Sequence, residues 1–127
     1  MFIRYLTNDD PEKADRVAGL LAEAGAGKVL LVTAEMVLAE VVWVLESAYR
    51  LKKPVISPLI RGILATPGLD VLNASLVGRA VELYEKRNVD FVDGYVVAVM
   101  ERDGIDEIYS FDKKHLPRAQ TVRRREP

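Results

Sequence analysis

Stretches of helical spacing alternate along this chain with short β-branched runs, and no other feature constrains the fold as much. The alternation predicts an α/β layer architecture. Asp10-Pro11 is an N-cap followed by proline at the first helical position, and Ala14, Val17, Ala18 and Leu21 keep helical spacing up to a stop at Gly25. Lys28 to Thr33 reads as a buried strand, with Thr33 capping a long helix from Ala34 to about Arg50. Ser57-Pro58 opens a further helix carrying Leu59, Ile60, Ile63 and Leu64, broken at Thr66-Pro67-Gly68. Leu69 to Leu72 is a second strand. Asn73 or Ser75 then caps a helix with Val77, Ala80, Val81 and Tyr84 on one face. Asp90 caps a helix from Phe91 to Asp103 that Gly104 closes. Ile108 to Phe111 is a third strand and Thr121 to Arg123 a short fourth. Phe2 to Leu6 is too short and too close to Asp10 for a strand followed by a helix; it reads as a helix that lacks the strand before it.

At 127 residues the chain is one domain's length, expected to fold as a single unit over 1–127. Half the residues are hydrophobic, which excludes a disordered chain. A net charge of −1 argues against a polybasic nucleic-acid binder, though not against a local basic patch. There is no cysteine, hence no disulfide, thiolate metal site or thiol nucleophile, and a single histidine cannot build a multi-histidine zinc site. No apolar run approaches the ~18 residues of a membrane span, and the N-terminus lacks a signal peptide's regions. A soluble, cytoplasmic protein with no membrane partner is the expectation.

Three acids sit where solvated helix faces do not explain them. Glu40 lies within about 60° of Met36, Val37, Trp43 and Val44 on a helical wheel, while Glu35 and Glu46 fall opposite, so it emerges from an apolar stripe. Asp93 shares a face with Val96, Val97 and Met100; the plainer account is an acidic first-turn residue favoured by the helix dipole. Asp112 follows Tyr109-Ser110-Phe111 at the carboxyl end of a strand, where α/β sheets build their sites; the plainer account is a turn aspartate before Lys113-Lys114. Three such acids can converge on one sheet edge. Clustered carboxylates repel unless a divalent cation neutralises them, and oxygen ligands suit Mg²⁺ or Mn²⁺. No Ser–His–Asp set is evident, because His115 sits in a basic turn, and no phosphate loop is present.

Four stretches resemble the PIN-domain nucleases, and within them the VapC-type toxins of toxin–antitoxin pairs. They are Phe2 to Pro11, Ala39 to Leu45, Val89 to Tyr95 and Ser110 to Leu116, in family order and at family spacing. The resemblance implies a PIN-like three-layer α/β fold, a parallel sheet flanked by helices, and a metal-dependent endoribonuclease using Mg²⁺ or Mn²⁺. It carries the catalytic and metal-binding roles onto Glu40, Asp93 and Asp112, with Asp90 as an auxiliary acid. A cognate antitoxin and a homodimer are family expectations. The family normally opens with a strand ending in Asp-Thr-Asn, whose aspartate is a further acid of the site. Here Met1 stands just after that position, which points to a start assigned too late or to a truncated form.

The mechanism expected on this reading is metal-assisted hydrolysis of an RNA phosphodiester. Arg4, Lys113, Lys114 and Arg118 are candidate RNA contacts, with the run Arg123-Arg124-Arg125 either a further contact or a solvated tail. Two other readings stay open. One is a catalytically impaired binding module that keeps the antitoxin or dimer surface. The other is a receiver-like phosphoacceptor domain, which would need an aspartate where Thr33 stands.

Overall fold

The computed structural model describes Met1–Pro127. In it Asp10 caps helix α2 (Pro11–Gly25) through a hydrogen bond donated by the Lys13 amide at 3.2 Å, with Pro11 in the first turn. The piece before it is helix α1 (Phe2–Thr7), which ends on Asn8 in the left-handed region, φ 52°. The chain divides into two units, Met1–Ala74 and Ser75–Pro127.

The first unit continues with β1 (Leu31–Thr33), α3 (Glu35–Ser47), α4 (Lys53–Leu64) and β2 (Leu69–Val71). β1 and β2 pair in parallel, Leu31 opposite Leu69 and Thr33 opposite Val71, joined by the helical crossover that parallel strands need. Gly68 turns the chain into β2 at φ 76°, where any Cβ would run into the Ala24 carbonyl. α1 packs on α2 and α3, and α4 packs on α3 and β2.

Three features of this unit differ from expectation. The buried strand expected over Lys28–Thr33 is only Leu31–Thr33 and is not buried, Val32 being 58% exposed, because it pairs with β2 alone. Thr33 does not cap α3: it stays in the strand ladder, its carbonyl accepting from Leu72 at 2.9 Å, and α3 starts after Ala34 with no side-chain cap. α4 does not open at Ser57-Pro58. It opens at Lys53, where Pro54 fits the first turn, and Pro58 lies inside the helix.

The second unit carries α5 (its helix spanning Ala74–Lys86), α6 (Phe91–Asp103), β3 (Glu107–Tyr109), a short 3-10 helix (Leu116–Ala119) and β4 (Arg123–Arg125). Val77, Ala80, Val81 and Tyr84 are buried, as their spacing predicts. A core of Leu83, Val89, Val97, Met100, Leu116, Ala119 and Val122 joins α5, α6 and the 3-10 helix, with Ile108 of β3 packed against it. Gly94 allows the close approach of the two long helices, since a Cβ there would sit 3.1 Å from the Ala80 carbonyl. Gly104 closes α6 at φ 70°.

β3 and β4 are also parallel, Glu107 opposite Arg123 and Tyr109 opposite Arg125. The arginine run is thus neither a tail nor free. Arg125 Nη1 meets Glu107 Oε1 at 2.9 Å and its guanidinium lies 6.0 Å from the Tyr109 ring centre. Arg124 donates to the Ser110 carbonyl at 2.7 Å, and Arg123 faces Asp106 and Glu107 at 3.7 and 3.9 Å. The architecture is α/β, short parallel strands flanked by helices, with the strands forming two separate two-stranded pairs. No helix is long and apolar enough to cross a membrane.

Candidate active site

The second unit brings acids together at the start of α6. Asp90 occupies the N-cap position without making a side-chain cap, which leaves its carboxylate uncommitted. Asp93 follows in the first turn, half-buried among the apolar residues of its face. Burial pushes the Asp93 carboxyl above the usual aspartate range, and the negative charges of Asp90 and then Asp112 push it further. His115 acts the other way on the same group. These four side chains therefore share one electrostatic neighbourhood.

Asp112 lies three residues past β3, and its geometry is that of the turn aspartate. Oδ1 accepts from the Lys114 amide at 3.0 Å and the His115 amide at 3.2 Å, and Oδ2 accepts from the Leu116 amide at 3.0 Å. The Asp112 amide donates to Ser110 Oγ at 3.0 Å. The Leu116 and Lys114 amides hold its carboxyl below the usual aspartate range. This network winds the loop into the 3-10 helix. A carboxylate has about four lone-pair sites, and three donors leave room for one more contact.

His115 and Arg118 secure the same loop from the other side. His115 Nδ1 lies 3.4 Å from the Asn88 carbonyl oxygen, and Arg118 Nη1 donates to that oxygen at 2.7 Å. Asn88 takes φ 54°, so the turn between α5 and α6 presents its carbonyl to both. In sequence His115 is only part of a basic turn. The signal for its place was the Asp112-x-x-His115 spacing, which puts the histidine amide on the aspartate.

Glu40 behaves otherwise. The face it shares with Met36, Val37 and Trp43 is exposed, Met36 at 80% and Trp43 at 66%, whereas Leu38, Val41, Val42 and Leu45 are the buried positions of α3. The expectation that Glu40 emerges from a buried stripe is therefore corrected. The helix is apolar nearly all round, so the wheel could not say which side is covered. Glu40 borders a cavity of about 300 Å³ with Ile3, Thr33, Val37, Val41 and Val44.

The candidate RNA contacts are mostly engaged. Arg4 pairs with Asp9 at 2.9 Å, Lys113 with Glu126 at 3.3 Å, and Arg118 holds Asn88. Lys114 is exposed.

The donor chemistry of Asp90, Asp93 and Asp112 suits a hard divalent cation, whose charge would relieve the repulsion felt at Asp93. No three acids or histidines stand close enough to cage an ion.

No curated protein and no solved structure matches the chain. The sequence model of the PIN domain family matches residues 1–121, a span that includes Glu40, Asp90, Asp93 and Asp112. The chain belongs to the PIN domain family.

Proposed function

We propose that this protein is a divalent-metal-dependent endoribonuclease, of the VapC type, acting as the toxin of a toxin–antitoxin pair. PIN domains are generally metal-dependent nucleases. The observation that carries the reading to this chain is the Asp93 carboxyl at the start of α6, raised first by its burial and then by the charges of Asp90 and Asp112. A carboxyl perturbed by burial together with specific neighbouring charges is a functional-site candidate. Asp93, Asp112 and the auxiliary Asp90 would hold Mg²⁺ or Mn²⁺. Glu40 joins them on its motif position alone. The cation, when bound, supplies Lewis acidity and lowers the pKa of a bound water. The residues' own part is to keep negative charge concentrated at the start of α6, while the amides on Asp112 fix its orientation. A cognate antitoxin, a homodimer and a cytoplasmic location complete the proposal.

The test is cleavage of a labelled single-stranded RNA with Mg²⁺ or Mn²⁺. Activity should disappear with EDTA and with Asp93→Asn. Cleavage that survives chelation overturns the metal reading. The three amides already bonded to Asp112 favour a second reading, a PIN-fold binding module with impaired chemistry. Absence of any Mg²⁺-dependent thermal shift would select it.

A further inference from the structure

A polar recess lies along α5. It has a volume of about 380 Å³ and is lined by Arg79, Glu82, Lys86, Arg87, Gln120 and Thr121. Its two ends differ. At one end Arg79 is fixed by three acceptors: Nε and Nη2 meet the two carboxylate oxygens of Glu101 at 2.9 and 3.1 Å, and Nη1 meets Glu82 at 2.6 Å. Thr121 adds a hydrogen bond to Glu101, and this set holds the Glu101 carboxyl below its usual range. That end is rigid and polar, and its charges are answered. At the other end stand Lys86, the last residue of α5, and Arg87, the first beyond it, both exposed and neither in an ion pair. Arg87 directly precedes Asn88, whose carbonyl holds Arg118 and faces His115 beside the acid cluster.

We infer that this recess binds one nucleotide unit of a single RNA strand, its phosphate on Lys86 and Arg87 and its sugar and base against the Gln120–Thr121–Arg79 wall. The inference rests on the nuclease reading for the identity of the strand. The volume lies in the range of small-ligand pockets. Two adjacent unpaired cations suit a phosphate, the fixed polar wall offers donors and acceptors to a base edge, and continuity through Asn88 lets one strand reach both places. Neither cation belongs to the acid cluster, and none of the RNA contacts expected from sequence lies here.

The experiment is fluorescence anisotropy of a short labelled oligouridylate with the full chain in EDTA, titrated across a salt series. Lys86→Gln/Arg87→Gln should weaken binding about tenfold at low salt and flatten the slope of log K against log salt by about 1.4, roughly 0.7 per lost phosphate contact. Lys28→Gln/Lys52→Gln, charge-matched and in the other unit, should leave the slope unchanged. Equal effects of the two pairs, or no binding by the parent protein, overturn the inference. Groove-dependent binding without any metal-dependent cleavage sinks the nuclease reading and leaves the groove standing. Cleavage with a salt slope indifferent to Lys86 and Arg87 does the reverse.

Discussion

The first turn of α6 and the loop from Ser110 to Leu116 each carry an aspartate, near enough for the charge of Asp112 to act on Asp93, and the protein treats the two oppositely. Asp112 is surrounded by backbone amides that stabilise its charge. Asp93 has no such donors and faces two carboxylates. The loop uses its acid to hold its own shape. The helix keeps its acid at a cost in stability. When a site combines a satisfied carboxylate with an unsatisfied one, the unsatisfied one is where an added cation has most to gain.

That contrast can be broken experimentally, and the largest effect should fall on chemistry. Asp93→Asn should lower RNA cleavage on the order of 10²–10³-fold, the usual consequence of removing one electrostatic stabiliser, while leaving the melting temperature equal or higher. A fall in both would mean Asp93 is structural. Asp112→Asn should do the converse first. It replaces a carboxylate bonded to three amides by a group with one acceptor oxygen, and should cost about 1–2 kcal/mol after allowing for partial exposure, read by chemical denaturation.

Acid pH sharpens the comparison. The lowered Asp112 pKa contributes stability that is present above the ordinary aspartate value of about 3.9 and lost as pH falls through its folded value. The raised Asp93 pKa works the other way: its contribution is present below about 3.9 and lost as pH rises through its folded value. Melting shifts of the two Asn variants should therefore have opposite signs at neutral pH and converge on zero in acid. The smallest effect on stability belongs to Glu40→Gln, at an exposed position of α3, within about 0.5 kcal/mol. If cleavage falls with it while stability holds, the motif assignment of Glu40 stands.

Most helices were legible because local chemistry fixes them. Asp10-Pro11 and Gly104 mark ends that backbone geometry requires, and α6 has the predicted bounds. Asp93 was readable because three apolar neighbours shared its face. What failed needed partners distant in sequence. Thr33 stays extended because Val71 and Leu72 pair beside it, a fact 38 residues away for Val71. The covered side of α3 depends on packing, because both sides are apolar. The arginine run looks solvated in sequence because its acids, Asp106 and Glu107, lie at the start of a different strand. In the same way Lys86 and Arg87 carry no local signature; only the fold sets them beside Gln120 and Thr121.

The charged ladder of β3 and β4 has a further consequence for local opening. The β1–β2 pair matches Leu31 with Leu69 and Thr33 with Val71, whereas β3–β4 matches Glu107 with Arg123. Exposed ion pairs are screened as the Debye length shrinks from about 10 Å at 0.1 M salt to about 3 Å at 1 M, and apolar contacts are not. The β3–β4 ladder should therefore open more readily in hydrogen exchange as salt rises, whereas the β1–β2 ladder should not. Because Arg124 also holds the Ser110 carbonyl, each such opening loosens the segment that leads into Asp112. The order of one side of the acid cluster would then follow the surrounding electrolyte while the start of α6 stays in place.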